Sequence, residues 1–128
     1  MALVKTLKGT VQNFTASWVD YGPEISTDGF DFMSIWLNID INDTQDARLR
    51  ILSKHTSGGN EYVHSIEVIA GSVVNTEDAY FEFTTDEDAK RVIEVTLDVV
   101  IPYIQVQIQA GTVGAAAGRI LASKYILQ

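Results

Sequence analysis

The chain has 128 residues, of which 46% are hydrophobic and 20% charged, a size and composition typical of one folded domain. Its 17 acidic against 9 basic side chains give a net charge of -8, which argues against a surface that binds nucleic-acid phosphates. The sequence contains no cysteine, which excludes disulfides and thiolate metal sites, and no apolar window long enough to span a membrane. We expect a soluble protein with one domain over residues 1–128, in which residues 1–10 form an extended N-terminal arm.

Strand patterns separated by turns fill the first half of the chain. A mixed pattern over residues 11–19 ends at the Gly22-Pro23 pair, which breaks a strand because proline cannot donate to a ladder. The clearest strand covers residues 34–41, where isoleucine and leucine alternate with polar residues and therefore face the core. A second strand over residues 48–55 follows a short polar link, which predicts a hairpin between the two strands.

The second half repeats the strand signal and adds one short helical feature. Strands are predicted at residues 62–69, 80–83, 93–101, 104–110 and 119–127. In the last of them, Ile120, Ala122 and Lys124 are expected to share a face. A capping arrangement predicts one helical turn at residues 86–90. In total about eight or nine strands, separated by turns at intervals of roughly 8–12 residues, predict an all-β antiparallel sandwich or barrel.

No motif of a known catalytic or cofactor site occurs in the sequence. It lacks a Gly-x-Ser-x-Gly elbow, a phosphate-binding loop that ends in Lys-Ser/Thr and a dinucleotide-binding fingerprint. Residues 40–46 are rich in Asp and Asn, as calcium loops are, but lack the glycine and glutamate of an EF-hand, which favours a plain turn. His55 and His64 have no obvious third ligand for zinc. We expect no enzyme activity, no metal and no cofactor, although a site assembled from distant residues leaves no sequence motif.

The aromatic side chains offer one binding hypothesis. Many β-sandwich modules stack sugar rings on an aromatic platform, and the residues available for one are Trp18, Tyr21, Trp36, Tyr62 and Tyr80. Packing in the core or at a subunit interface accounts for the same residues. Trp36 stands apart because it lies on the polar side of its strand, so that face is either covered by another sheet or subunit or exposed for binding.

The last quarter of the chain offers a second hypothesis, of contact with a partner. Gln105, Gln107 and Gln109 alternate with apolar residues that belong to the core. This neutral row is either a solvated face or a face shared with a partner, since the centres of interfaces are depleted in charge. The Gly/Ala tract at residues 111–118 is either a solvent-exposed loop or a site of close subunit contact. The candidate interface residues are therefore Trp36, Gln105, Gln107, Gln109, Gly111, Gly114, Ala116 and Gly118.

Four segments together carry a resemblance to a known class of protein. They are Trp18-Val19-Asp20-Tyr21-Gly22, Thr27-Asp28-Gly29-Phe30-Asp31, Ile101-Pro102-Tyr103-Ile104-Gln105-Val106-Gln107, and Gly111-Thr112-Val113-Gly114-Ala115 with Gly118. With the long alternating strand between them, they resemble small structural proteins of tailed bacteriophage virions, which are encoded among head and tail genes. The similarity covers the chain from about Val11 onward and consists of strand and turn patterns.

This resemblance implies a jelly-roll-like β-sandwich subunit without catalytic residues. The implied function is that of a capsid decoration, or cement, protein that binds the major capsid protein or other virion proteins on the virion exterior. Because oligomers on a shell follow its local symmetry, we expect such a protein to self-associate as a trimer. A minor tail or neck component is the alternative within the same class. A carbohydrate-binding module used in host attachment, with Trp36 in its platform, is the competing class. An acidic protein suits the outside of a capsid, because packaged nucleic acid repels it.

Overall fold

The computed structural model shows an all-β protein. It describes residues 2–40, 47–63, 66–70, 73–77, 80–83, 90–96, 102–110 and 118–128, and within these ranges the chain forms thirteen strands and no helix. The strands are β1 (Leu3–Thr6), β2 (Gln12–Asn13), β3 (Val19–Asp20), β4 (Ile25–Ser26), β5 (Phe32–Asp40), β6 (Ala47–Lys54), β7 (Glu61–Val63), β8 (Ile66–Ala70), β9 (Val73–Glu77), β10 (Tyr80–Phe83), β11 (Lys90–Thr96), β12 (Tyr103–Ala110) and β13 (Arg119–Leu127).

Two antiparallel sheets pack against each other as a β-sandwich. The β5 sheet has the strand order β1-β13-β5-β11, with β2 also paired to β13. The β12 sheet has the order β10-β6-β12-β3, with β4 also paired to β12 and β7 also paired to β6. The short strands share positions, since β1 and β2 lie end to end along β13, β3 and β4 along β12, and β7 and β10 along β6. Each sheet therefore has four strand positions, and β8 and β9 form a separate hairpin.

The core lies between the two sheets and is built from the alternating residues that the sequence predicts. Its apolar residues include Met33, Ile35, Leu37 and Ile39 in β5, and Ile104, Val106 and Ile108 in β12. They share one face of each strand because successive side chains of a strand point to opposite faces. The predicted core faces of both strands are confirmed for the described residues.

The predicted hairpin between residues 34–41 and 48–55 is wrong. β5 pairs with β13 and β11 in one sheet, whereas β6 pairs with β12, β7 and β10 in the other. The connection between β5 and β6 therefore crosses from one sheet to the other. Alternation predicts which face of a strand is buried, but two strands whose apolar faces meet across a core show the same pattern as two paired neighbours.

The closing strand has the predicted bounds but not the predicted faces. Ile120 is buried, whereas Ala122 and Lys124 are exposed, so these three residues do not share a face. The pairing of β13 with β5 shifts in register between Ile120 and Ala122, as at a β-bulge. An extra residue in one strand reverses the alternation beyond it. This shift turns Ala122 and Lys124 toward the outer face of the β5 sheet.

The N-terminal segment joins the β5 sheet through β1. β1 pairs with β13 over four residues. The single strand predicted at residues 11–19 is replaced by two-residue strands at its two ends. Between them Phe14 is buried, and its N–H donates to the carbonyl oxygen of Gly118 at 2.9 Å. The predicted helical turn lies outside the described residues except for Lys90, which begins β11.

Candidate binding surface

Trp36 lies in the middle of β5 and points away from the core, while its neighbours Ile35 and Leu37 are buried. The strand register places Val92 of β11 on one side of it and Lys124 of β13 on the other. Its indole N–H donates to the Ser34 hydroxyl oxygen at 2.9 Å. This bond engages the only polar atom of the side chain, so what the ring offers to a partner is apolar surface.

Trp36 is one of four exposed apolar side chains on the outer face of the β5 sheet. The exposed fractions are 56% for Val4, 55% for Phe32, 48% for Trp36 and 46% for Val92. Val92 lies directly beside Trp36, and Phe32 follows along the same face of β5. We call these four residues the Trp36 face. Several large apolar side chains exposed on one sheet face are a candidate interaction site.

A shallow depression lies beside the indole of Trp36. Its lining includes Asn38, Val92, Ala122 and Lys124. Ala122 reaches this face through the register shift in β13, and its small side chain leaves room beside the ring. The depression therefore combines an apolar ring with an amide and an ammonium group, a mixture of groups found in many ligand sites.

The glutamine row is not the open face that the sequence predicts. Gln105 and Gln107 are buried, with exposed fractions of 4% and 9%, and Gln109 is half-buried. The amide of Gln105 donates to the carbonyl oxygen of Gly22 at 3.1 Å, and that of Gln109 donates to the carbonyl oxygen of Ala16 at 3.0 Å. The segment from Ala16 to Gly22, which includes β3, therefore covers the row, and these donors are engaged inside the chain.

Gln107 is the centre of a charged network on the same sheet. Its side-chain oxygen accepts hydrogen bonds from Arg50 Nε at 2.9 Å and Nη2 at 2.7 Å. Its side-chain nitrogen donates to Asp20 Oδ1 at 2.9 Å. The register explains this contact, since Arg50 and Asp20 lie opposite Gln107 on its two neighbouring strands. The network joins β6, β12 and β3 and leaves Gln107 little capacity for an outside partner.

Arginine and aromatic side chains stack on the outer face of the β12 sheet. The guanidinium carbon of Arg50 lies 4.3 Å from the ring centroid of Trp18, and that of Arg48 lies 4.6 Å from the ring centroid of Tyr80. The two rings are 6.4 Å apart. Such cation–π contacts stabilise the face and occupy one side of each ring. Among the described residues, Arg48 Nε is buried without a hydrogen-bond partner.

The five aromatic residues proposed as a platform do not come together. Tyr21 is fully buried, and its hydroxyl donates to the Ser123 hydroxyl oxygen at 2.7 Å. Burial raises the pKa of the Tyr21 hydroxyl. Tyr62 packs edge-on against His55, and the two aromatics stacked on arginine belong to the β12 sheet. Trp36 therefore faces solvent on the opposite sheet, apart from the other four.

Glu24 fastens the start of β4 to the turn that follows β6. Its carboxylate accepts hydrogen bonds from Lys54 Nζ and from the N–H of Gly58, each at 3.0 Å. Lys54 also lies 3.6 Å from the carboxylate of Glu61. Hydrogen bonds from Gly58, Ser57 and Lys54 lower the pKa of Glu24 to about 2. The ionised carboxylate thus links the start of β4 to the turn after β6 and stabilises the fold.

We expect Glu24→Gln to destabilise the protein at neutral pH and much less in strong acid. The pKa of Glu24 is lower in the folded chain than its ordinary value of 4.5, so its contribution is present above that value and is lost as the pH falls toward 2. Urea denaturation of both proteins between pH 7 and pH 2 measures the difference. Glu61→Gln is the control, because its carboxylate is 41% exposed and contacts Lys54 at a longer distance. A difference that did not shrink in acid would contradict this role of Glu24.

The remaining candidate residues lie mostly outside the described part of the chain. Gly111, Gly114 and Ala116 fall there, so contact through the small-residue tract stays a prediction. Gly118 is described and buried, and its carbonyl oxygen is engaged by Phe14. Of the calcium candidate only Asp40 is described, and its carboxylate pairs with Arg119 Nε at 3.1 Å.

Comparison with protein-family models gives no match, and comparison with curated proteins gives none either. Within the described ranges, no group of three or more His, Cys, Asp or Glu residues is placed to hold a metal ion. In the same part of the chain, no helix is long and apolar enough to cross a membrane. The geometry of the Trp36 face is therefore the main guide to function.

Proposed function

We propose that the protein is a non-enzymatic structural subunit of a tailed-bacteriophage virion, a capsid decoration protein that self-associates and binds the outer shell. The observation that carries the proposal is the Trp36 face, where a sheet with a buried inner side also turns four large apolar side chains to solvent. A protein that only needed to fold would gain nothing from this exposure, whereas a protein that docks on a flat shell buries it.

The order of the strands also supports this proposal. When the end-to-end short strands are counted as one position each, the chain has eight positions in two four-stranded sheets. In chain order, consecutive positions lie in opposite sheets, with one exception. β6 and the position of β7 and β10, which follows it, lie in the same sheet. We interpret this arrangement as a jelly roll, an architecture used by viral capsid and lectin domains. The β8–β9 hairpin is then an insertion within one strand position.

The charge of the protein favours the outside of a shell. A net charge of -8 repels packaged nucleic acid and keeps an unassembled subunit soluble. The copies of a self-associating decoration protein would follow the local symmetry of the shell. Partners of this kind are recognised through apolar and polar groups together, and Lys124, beside Trp36, and Glu94, on the same strand as Val92, supply the charged groups.

The test is co-sedimentation of the purified protein with capsid shells that lack it. We expect Trp36→Glu to weaken shell binding about thirtyfold or more, because a central aromatic of an interface contributes about 2 kcal/mol or more. Tyr62→Glu is the matched control, since Tyr62 is 53% exposed on the other sheet. Equal binding by the two variants would contradict the proposal. Binding to isolated tails rather than shells would assign the protein to the tail or neck.

Carbohydrate binding is the second candidate, and the depression beside Trp36 favours it. An exposed indole flanked by the Asn38 amide and the Lys124 ammonium group offers a stacking surface and hydrogen-bond donors to a sugar ring. A glycan array separates the two functions. Glycan binding by the wild type that is lost in Trp36→Ala would support host attachment, whereas shell binding without glycan binding supports decoration.

A further inference from the structure

The four edge positions of the sandwich are not alike. Three of them hold two short strands each, of two to four residues, which are β1 and β2, β3 and β4, and β7 and β10. The fourth holds β11, a single strand of seven residues. Within the described residues, β11 pairs with β5 on one side and with no strand on the other. A long edge strand is a template for pairing with another chain, and short strands protect the other three edges.

The residues of β11 suit pairing with a copy of itself. Lys90, Val92 and Glu94 occupy alternate positions of β11, in register with Asn38, Trp36 and Ser34 of β5. Val92 is 46% exposed and Glu94 is exposed, whereas Ile93 is buried in the core. The sequence order of lysine, valine and glutamate at these alternate positions is self-complementary when a second copy of the strand runs antiparallel to the first.

We infer that β11 pairs antiparallel with β11 of a second copy of this chain, about a two-fold axis at Val92. This register places Val92 opposite Val92 and, twice by symmetry, Lys90 of one copy opposite Glu94 of the other. Opposite charges at directly opposed positions of an antiparallel pair are favourable, and like charges are unfavourable. With Ile93 on the axis instead, Val92 would face Glu94 and both charge pairs would be lost.

The pairing would join two β5 sheets into one continuous sheet. The two Trp36 faces then form a single surface, because Val92 lies both in the Trp36 face and at the axis. A two-fold contact of this type is isologous, since each copy contributes the same residues, so it gives a dimer in place of the trimer expected from the sequence. The inference deepens the proposed function, on which it rests for the need to self-associate, by naming the strand and the register that the copies use.

A cysteine introduced at the axis tests the register directly, because the natural chain contains no cysteine. Under mild oxidation with diamide, we expect Val92→Cys to form a disulfide-linked dimer, since opposed residues of antiparallel strands are close enough for a disulfide. Glu94→Cys is the matched control. The register separates its two thiols by four residues along the strand, about 13 Å, which is too far for a disulfide. Equal cross-linking of both variants, or none in Val92→Cys, would overturn the inference.

Charge reversal provides a second test that does not depend on a disulfide. We expect Glu94→Lys and Lys90→Glu each to raise the dissociation constant of the dimer about tenfold or more, because each creates two like-charge pairs. An equal mixture of the two variants, and the double variant, should restore dimers to near the wild-type level. Lys5→Glu, on exposed β1 at the opposite edge of the sheet, should change nothing. Circular dichroism verifies that each variant is folded.

Light scattering across a concentration series measures the oligomeric state of the wild-type protein and of the charge-reversal variants. A dimer that responds to the charge reversals as described supports the inference. A protein that stays monomeric, or a trimer that ignores the reversals, would overturn it. A monomer would also contradict the self-association in the proposed function, whereas shell binding through Trp36 is tested separately by co-sedimentation, so the two failures are distinguishable.

Discussion

We expect Gly22→Ala to lower the free energy of unfolding by roughly 2–5 kcal/mol. Gly22 has a φ of +76°, a left-handed conformation that costs a residue with a Cβ roughly 1–2 kcal/mol. An added Cβ would also lie 2.5 Å from the carbonyl oxygen of Leu7 and 2.9 Å from its Cδ1. The nearest atom belongs to the backbone and cannot rotate away, so overpacking adds roughly 1–3 kcal/mol. Urea denaturation followed by tryptophan fluorescence measures the loss.

Gly29→Ala is the matched control for this prediction. Gly29 has a similar φ of +85°, but a Cβ there would meet no atom within 4 Å among the described residues. It should therefore cost only the conformational part, roughly 1–2 kcal/mol. Equal losses in the two variants would show that Gly22 does not approach Leu7 closely.

The position of Gly22 explains why its turn matters to the candidate surface. The N–H of Tyr21 donates to the carbonyl oxygen of Val106 at 2.8 Å, and the carbonyl oxygen of Gly22 accepts from the amide of Gln105. The Gly22-Pro23 pair separates β3 from β4 and lets both lie along β12. This arrangement covers the glutamine row that the sequence predicts to be open.

Alternation in the sequence predicts the faces of strands well because it reflects burial directly. Ile35 and Leu37 in β5, and Ile104 and Ile108 in β12, are buried as predicted. The same signal identifies Trp36 as the residue out of pattern, and the structure places it in solvent. An apolar residue at a polar position is therefore the sequence signal that finds the Trp36 face.

Partner strands could not be predicted, because pairing depends on residues far apart in the chain. The connection from β5 to β6 resembles a hairpin link, yet its two ends belong to different sheets. The prediction of an open glutamine row is wrong for a related reason, since Gly22, in the segment that covers the row, is 83 residues from Gln105 in the sequence. The predicted face of Ala122 and Lys124 is wrong because a one-residue register shift cannot be recognised from the alternation of apolar and polar residues. Each error concerns which parts of the chain meet.

Ile108→Ala is expected to cost roughly 2–5 kcal/mol, a large part of the stability of a domain of this size. Ile108 is fully buried at the centre of the β12 sheet, opposite Leu49 on one side and Val19 on the other. Ile108→Val should cost only roughly 0.5–1.5 kcal/mol, and Val11→Ala, at a residue that is 53% exposed, less than about 0.5 kcal/mol. Urea denaturation that failed to give this graded order would contradict the core described above.

Stability and shell binding should respond to different residues. Ile108 belongs to the β12 sheet and not to the sheet that carries the Trp36 face, so the folded fraction of Ile108→Ala should bind shells as the wild type does. Trp36→Glu, in contrast, should lose binding and keep its stability.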